Sequence, residues 1–276
     1  MKQWFRRSWS ELALAIVALV VNSWALWQNG LGNAYYAATT RSMTTSWHNF
    51  VFASYDPGGW ITTDKPPLAL WLQAISANFF GLRSWAVLLP SAIAGAASVW
   101  LLAATVRRVW GHTSGLCAGI ALALTPAMFA VSRSNNPDAV LVLCMVASMW
   151  AARRAIGSMQ HRALWMTASG ALLGLGFLAK MLVAVIIFPG LAAAYLVGAR
   201  VSIGRRLAHV GYAVGGFVTV SGLWVLLMDA WPGAPYVGGS KDGTAWNLVF
   251  GYNGFGRVFG ADDAVLAATG GKVSFT

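Results

Sequence analysis

Acidic residues are what this 276-residue chain has least of: eight aspartates and glutamates stand against nineteen lysines and arginines. Charged residues of both signs make up only 10% of the chain. A soluble domain carries roughly 25%, so an ordinary water-soluble fold is excluded. Cysteine is also scarce. Cys117 and Cys144 both lie inside apolar runs, and they read as free buried thiols rather than a disulfide or a metal pair. No zinc-type ligand spacing, phosphate-binding glycine loop, dinucleotide fingerprint or nucleophile elbow occurs.

What the chain does have is apolar: 58% hydrophobic residues and a mean hydropathy of +0.61. Fifteen tryptophans and seven tyrosines suit interfacial belts. A net charge of +11 would point to nucleic acid in a soluble chain. Here the basic residues gather in short loops between apolar runs, the positive-inside pattern of a polytopic membrane protein, so no nucleic-acid partner is expected. Lys2, Arg6 and Arg7 precede the first apolar run, which lacks a clean cleavage site.

The runs predict an all-α, polytopic transmembrane fold of about seven spans: Leu12–Trp27, Trp85–Val106, Leu116–Val131, Ala139–Ala152, Trp165–Leu178, Leu182–Val197 and Val210–Met228. The segments holding Lys2, Arg6, Arg7, Arg107, Arg108, Arg153, Arg154, Arg162, Arg200, Arg205 and Arg206 contain no acidic residue, and they are placed in the cytoplasm. All seven aspartates then fall outside, as does the C-terminus. Pro67–Leu82 is apolar but short, and carries Gln73, Ser76 and Asn78. Letting it cross would erase the charge bias, so it reads as an interfacial or re-entrant helix. A second amphipathic helix is expected in the first outer loop, with Tyr36, Met43, Trp47 and Phe50 on one stripe and Arg41, Thr45 and Asn49 opposite. Residues 1–230 thus form one transmembrane unit with its first outer loop at 29–84, and residues 231–276 an outer loop or tail that is incomplete.

The aspartates cluster in the outer loops. In Asp64-Lys65-Pro66-Pro67-Leu68 the prolines start a helix. A lysine beside a helix N-terminus suits a phosphate, against the plainer reading of a snorkelling lysine with a paired carboxylate. Asp56-Pro57-Gly58-Gly59 is turn chemistry, yet Asp56 lies in the same loop and stays a candidate base. Arg133-Ser134-Asn135-Asn136-Pro137-Asp138 is a short outer loop. Asp138 there either opens the next helix or joins the chemistry, and Arg133 offers a guanidinium to phosphate oxygen. Lys180, at the outer end of the fifth span, either snorkels or makes a second phosphate contact. His48 is the lone outer histidine.

Taken in order, Asn33-Ala34-Tyr35-Tyr36-Ala37-Ala38, Arg41-Ser42-Met43, Asp56-Pro57-Gly58-Gly59, Asp64-Lys65-Pro66-Pro67-Leu68 with Trp71, Arg133-Ser134-Asn135-Asn136-Pro137-Asp138, Pro235-Tyr236-Val237-Gly238-Gly239-Ser240 and Gly251-Tyr252-Asn253-Gly254 carry a resemblance. They resemble the bacterial GT-C glycosyltransferases of family 39, the protein mannosyltransferase and aminoarabinose-transferase type, and within it a mannosyltransferase-like branch. The resemblance covers about residues 10–257. It implies an inverting enzyme of the bacterial plasma membrane that moves a sugar from a polyprenyl-phosphate carrier to a lipid, glycan or protein acceptor on the outer face. By the same resemblance, Lys65 meets the carrier phosphate, Asp138 matches the aspartate of the second outer loop, and a first-loop carboxylate takes the acceptor proton. The candidate site is therefore Asp56, Asp64 and Asp138 as catalytic carboxylates, with Lys65, Arg133, Asn135, Asn136, Lys180 and Tyr36 binding carrier or substrate. Asp56, on a glycine-rich turn with no adjacent cation, is narrowly favoured as the base.

Many relatives carry Asp-Glu where this chain has Gly32-Asn33. Relatives also have more spans and often an outer C-terminal domain, so the resemblance implies a truncated form. No cofactor is expected, and a divalent metal is left open. Two other classes compete: a membrane subunit that binds a lipid carrier without catalysis, and a flippase or transporter. A transporter would place charges at mid-membrane, whereas here they collect at the ends of the spans.

Overall fold

A computed structural model describes residues 2–255. The C-terminus and Gly260–Thr276, including Asp262 and Asp263, all expected on the outer side, lie outside those residues. Among the described residues the fold is helical, with no sheet and only two isolated bridges, Ser54–Thr62 and Ile61–Tyr236.

Long apolar runs make long helices: α1 (Lys2–Ser23), α5 (Ser84–Trp110), which carries Pro90 in its interior, α8 (Asp138–Gly157), α9 (Arg162–Lys180) and α11 (Ile203–Ala230). Shorter pieces come from local breaks. Thr125 is forced into an extended conformation before Pro126, and α6 (His112–Leu124) meets α7 (Pro126–Ser132) at 65°. Met181 adopts a positive φ of 51°. It separates α9 from a 3-10 turn and then α10 (Phe188–Gly198).

The seven expected stretches are distributed over fewer continuous helical runs. By length and apolar composition, five helical runs can cross a membrane among the described residues, or six with the bent pair. The difference is the run Arg162–Gly198, continuous in helical content but folded back at Met181. Arg162 Nη1 donates to the Arg200 carbonyl at 3.4 Å, and Met166, Tyr195 and Ala199 share one buried cluster. The start of α9 and the end of α10 therefore lie at the same end of the molecule. One continuous run supplies the two stretches read from sequence as Trp165–Leu178 and Leu182–Val197.

Small residues set the helix spacing. A side chain at Gly174 of α9 would meet Val220 Cβ of α11 at 2.7 Å, so the helices approach as closely as glycine permits. Cys144 is buried as expected, but Cys117 is exposed, because the run that contains it becomes α6, a helix with a lipid-side face.

The basic segments meet at one end. Glu11 Oε1 lies 2.8 Å from Arg107 Nε, Arg153 Nη2 donates to the Arg108 carbonyl at 3.4 Å, and Arg154 lies over Trp165 at 5.2 Å. At the opposite end sit the first loop, the 133–138 loop and Lys180.

The first loop departs from the single amphipathic helix expected. It forms α2 (Ala34–Met43) and α3 (Trp47–Phe52), because Ser46 caps a new helix by accepting from Asn49 N at 3.1 Å. Asn49 is buried, not on a solvated face. Its Nδ2 donates to Thr45 Oγ1 at 3.1 Å and to the Pro57 carbonyl at 3.0 Å. The next helix, α4 (Leu68–Phe80), has 13 residues, about 20 Å against the roughly 30 Å of a bilayer core. Its Gln73 donates to the Asn135 carbonyl at 2.9 Å, and Ser76 donates to the carbonyl of Ala86, in the first turn of α5, at 2.5 Å. It lies across one end of the bundle.

Candidate active site at the acidic end

The site begins where α4 begins. Asp64 N–H donates to Tyr35 Oη at 3.1 Å, and Lys65 Nζ donates to Asp64 Oδ2 at 2.5 Å. The Lys65 side chain is 6% exposed and that of Asp64 20%. Asn253 closes the group, with Nδ2 donating to the Asp64 carbonyl at 3.2 Å and Oδ1 accepting from Lys65 at 3.4 Å. Burial pushes the Tyr35 phenol above its ordinary pKa. The Asp64 carboxylate and Tyr55 add to this, against opposing hydrogen bonds with Thr63 and Asp64.

A second pair has the same chemistry. Lys180 Nζ, in the last turn of α9, donates to Asp138 Oδ1 in the first turn of α8 at 2.5 Å. Ala69 beyond the first pair, Ala139 beside Asp138 and Ala179 beside Lys180 belong to one buried cluster, with Leu68 packed on it. Residues adjoining each pair thus share one buried cluster with the first turn of α4. The two cations and the positive end of that helix can together face an anion.

The other expected site residues are placed as follows. Asp56 accepts from Trp60 N at 3.0 Å and from Ile61 N at 2.8 Å, closing its own turn. Slight burial raises the carboxyl, but the backbone N–H groups of Ile61, Trp60, Asp56 and Gly58 outweigh it and hold the pKa below the usual aspartate value. Arg133 Nη1 donates to the Val21 and Asn22 carbonyls at 3.0 Å each, satisfying the C-terminus of α1. Asn135 is fully buried, with Oδ1 accepting from Asn33 N at 2.7 Å and Nδ2 donating to Asn33 O at 2.9 Å. Asn136 is half-buried, its N–H donating to Ser134 Oγ at 3.3 Å. Tyr36 packs with Met43, Leu70 and Ala74 in a core between α2 and α4.

Sequence reasoning missed Tyr35 and gave Asn253 no role. The Tyr36–Met43 stripe was itself the signal for Tyr35: a residue on a buried stripe points into the core, so its neighbour, about 100° round the helix, is the one free to reach a site. At Gly32 a positive φ of 76° and Asn135 Oδ1, 2.5 Å from where a Cβ would stand, leave no room for a side chain in this conformation.

Residues 231–255, expected as part of an outer loop or tail, are fastened to the first loop. Tyr236 N donates to the Trp60 carbonyl and Thr62 N to the Tyr236 carbonyl, both at 2.9 Å. His48 Nε2 lies 3.1 Å from the Gly233 carbonyl. Val237, Ala245, Leu248 and Val249 are buried with Phe177, Met181 and Trp224. Asp229 accepts from Ala245 N at 2.5 Å, capping the turn that leads to Asn253. Among the described residues no group of three or more His, Cys, Asp or Glu side chains is placed to hold a metal ion.

Comparison with known proteins decides the family. The model of the dolichyl-phosphate-mannose-protein mannosyltransferase family matches residues 64–225, more than half of the chain. The chain belongs to that family. It begins its match at Asp64, the first residue of the lysine–aspartate motif. The Bacillus subtilis (strain 168) protein named "Putative mannosyltransferase YycA" is 37% identical over 95% of this chain and 39% of its own length. A second from the same organism, YkcB, is 36% identical over 90% of this chain and 35% of its own. The chain thus spans under two-fifths of the length of these curated relatives. Among solved structures, ArnT from Cupriavidus metallidurans bound to undecaprenyl phosphate is 27% identical with a TM-score of 0.60, over 78% of this chain and 40% of that one. The archaeal oligosaccharyltransferase AglB from Archaeoglobus fulgidus is 16% identical with a TM-score of 0.60, over 98% and 35%, and shares the fold alone. The GT-C-like helical fold and the multi-pass membrane character are as the resemblance implied.

Proposed function

We propose that this chain carries the sugar-transfer site of a glycosyltransferase that takes its sugar from a polyprenyl-phosphate carrier. The observation that carries the reading is the pair of lysine–aspartate contacts, whose adjoining residues share one buried cluster with the first turn of α4, in a member of this family. The acidic end faces the extracytoplasmic side of the plasma membrane, because the basic segments share the other end. Modification of a cysteine placed at Ser240, but not at Ser158, by a membrane-impermeant reagent tests that orientation. The reverse pattern refutes it.

The carrier phosphodiester, a single negative charge that can reach both lysines and the N-terminus of α4 at once, binds at Lys65 and Lys180 and displaces their aspartates. The exchange frees the Asp64 carboxylate. Attack by an acceptor hydroxyl on the anomeric carbon forms the new glycosidic bond, with inversion. The carbon–oxygen bond to phosphate breaks, its electron pair leaves with the carrier, and Asp64 takes the acceptor proton. Asp64 fits this role better than Asp56, whose oxygens are engaged by its own turn and whose lowered pKa makes it a weaker base. Arg133 and Asn135 hold the loops, through Arg133 Nη1 on the Val21 and Asn22 carbonyls and Asn135 Nδ2 on that of Asn33.

The test is carrier binding by Lys65→Ala. Loss of a charge-assisted contact weakens polyprenyl-phosphate affinity by about 1–3 kcal/mol. Unchanged affinity in a folded variant refutes the assignment. Carrier binding without turnover by the whole protein favours a carrier-binding subunit instead.

A further inference from the structure

At the basic end, α5, α8 and α9 enclose a cleft of about 390 Å³ lined by Arg108, Arg153, Arg154, Trp150, Trp165 and Ser158. Arginines at this end of a membrane protein ordinarily fan into solvent or cover carbonyls. Arg206 does the latter, donating to the Val201 and Leu196 carbonyls at 2.7 and 2.6 Å. The three arginines of the cleft line one opening, and Arg153 also donates to the Arg108 carbonyl at 3.4 Å. The Arg154 guanidinium lies 4.6 Å from the Trp150 ring centre and 5.2 Å from that of Trp165, and its Nε is buried with no hydrogen-bond partner. The Arg153 side chain folds back over Gly157, where a Cβ would stand 2.9 Å from Nη1. Among the described residues none of the three has a carboxylate within 4.0 Å. The nearby acid, Glu11, sits on Arg107.

Like charges gathered on aromatic walls without a counterion make a site for an anion. We propose that this cleft binds the phosphate headgroup of an anionic membrane lipid. A lipid fits better than a free phosphate because the same helix ends expose apolar side chains beside the cleft. Trp110 is 71% exposed and Leu164 65%, which gives acyl chains a surface to follow. The three helices are themselves candidate spans, so their ends lie at headgroup level. The inference does not rest on the sugar-transfer reading.

The experiment is lipid binding by the full chain, purified in a neutral detergent and read by native mass spectrometry and thermal shift. Phosphatidylglycerol binds and raises Tm, whereas phosphatidylcholine does neither. Arg108→Gln and Arg153→Gln, chosen because Arg108 is exposed and Arg153 only half-buried, each weaken binding about tenfold with helicity retained. Arg205→Gln, exposed at the same end, leaves binding unchanged. Equal binding of phosphatidylcholine, or unaltered affinity in both cleft variants, overturns the proposal. So does inorganic phosphate reproducing the shift with the same arginine dependence, since the ligand is then a free anion.

Discussion

The two ends of the molecule handle charge in opposite ways. At the acidic end, Lys65 and Lys180 each hold an aspartate at 2.5 Å, and the surrounding loops are fastened by side chain-to-backbone hydrogen bonds. At the basic end, among the described residues, none of the three cleft arginines has a carboxylate within 4.0 Å, and Glu11 lies 2.8 Å from Arg107 and 4.0 Å from His112. An anion arriving at the acidic end must displace a resident partner, so its binding depends on particular residues and can release a carboxylate. An anion arriving at the basic end only adds to an uncompensated field, and each arginine removed weakens it by a similar step. One end is organised for an exchange and the other for a hold.

The largest effect that can break this contrast is on turnover. Asp64→Asn in the protein carrying this chain keeps the carrier bound but removes the proton acceptor, and transfer falls about 10²- to 10⁴-fold. Asp56→Asn stays near wild type. Single-turnover transfer from a radiolabelled polyprenyl-phosphate sugar measures both. If Asp56→Asn abolishes transfer and Asp64→Asn does not, the exchange at Lys65 has no catalytic meaning.

A smaller effect sharpens the claim that the acidic end is built rather than merely charged. Asn135→Ala removes the partner of the Asn33 N–H and one of the two donors to its carbonyl, which keeps the Ala37 N–H, and leaves a void where a fully buried side chain stood. The expected cost is about 2–3 kcal/mol of stability, seen as a lowered denaturation midpoint. Asn136→Ala, whose side chain is half-buried, stays within about 0.5 kcal/mol. Equal effects from the two would mean that the Asn33–Asn135 clasp is incidental.

Much of this was legible in the sequence, for physical reasons that differ by element. The long spans show because lipid demands continuous apolar runs, and α4 shows because a run of thirteen residues interrupted by Gln73, Ser76 and Asn78 is too short to cross. The pairing of Asp64 with Lys65 is visible because adjacent residues need no fold to meet. The contact between Asp138 and Lys180, 42 positions apart, needs α8 and α9 to pack, and periodicity does not encode which partner a charged end will find. Asp56 stands as a candidate base in the sequence because a turn aspartate and a free base look alike until the N–H groups of Trp60 and Ile61 are placed. Asn253 was hidden because 231–255 reads as polar and irregular, while its order comes from hydrogen bonds to the first loop. The fold-back at Met181 was placed correctly as a break between two apolar stretches, but its helical continuity was not, since no proline or glycine marks it.

The smallest expected effect concerns the Asp56 turn and is read through pH. Its carboxyl pKa in the folded protein lies below the ordinary aspartate value, because the N–H groups of Ile61, Trp60, Asp56 and Gly58 outweigh slight burial. A carboxylate lowered on folding stabilises the fold above its unfolded pKa, and that contribution disappears as pH falls through the folded value. Wild type should therefore exceed Asp56→Asn in stability at neutral pH, by a few tenths of a kcal/mol to about 1 kcal/mol, since the amide oxygen still accepts one of the bonds. The gap should narrow only below the ordinary aspartate range, as the carboxylate protonates. Denaturation midpoints of the two proteins across that range provide the measurement. A gap that instead opens between pH 5 and 8 would mean that Asp56 titrates near neutrality, as a poised base does, and would return it to the chemistry of the site.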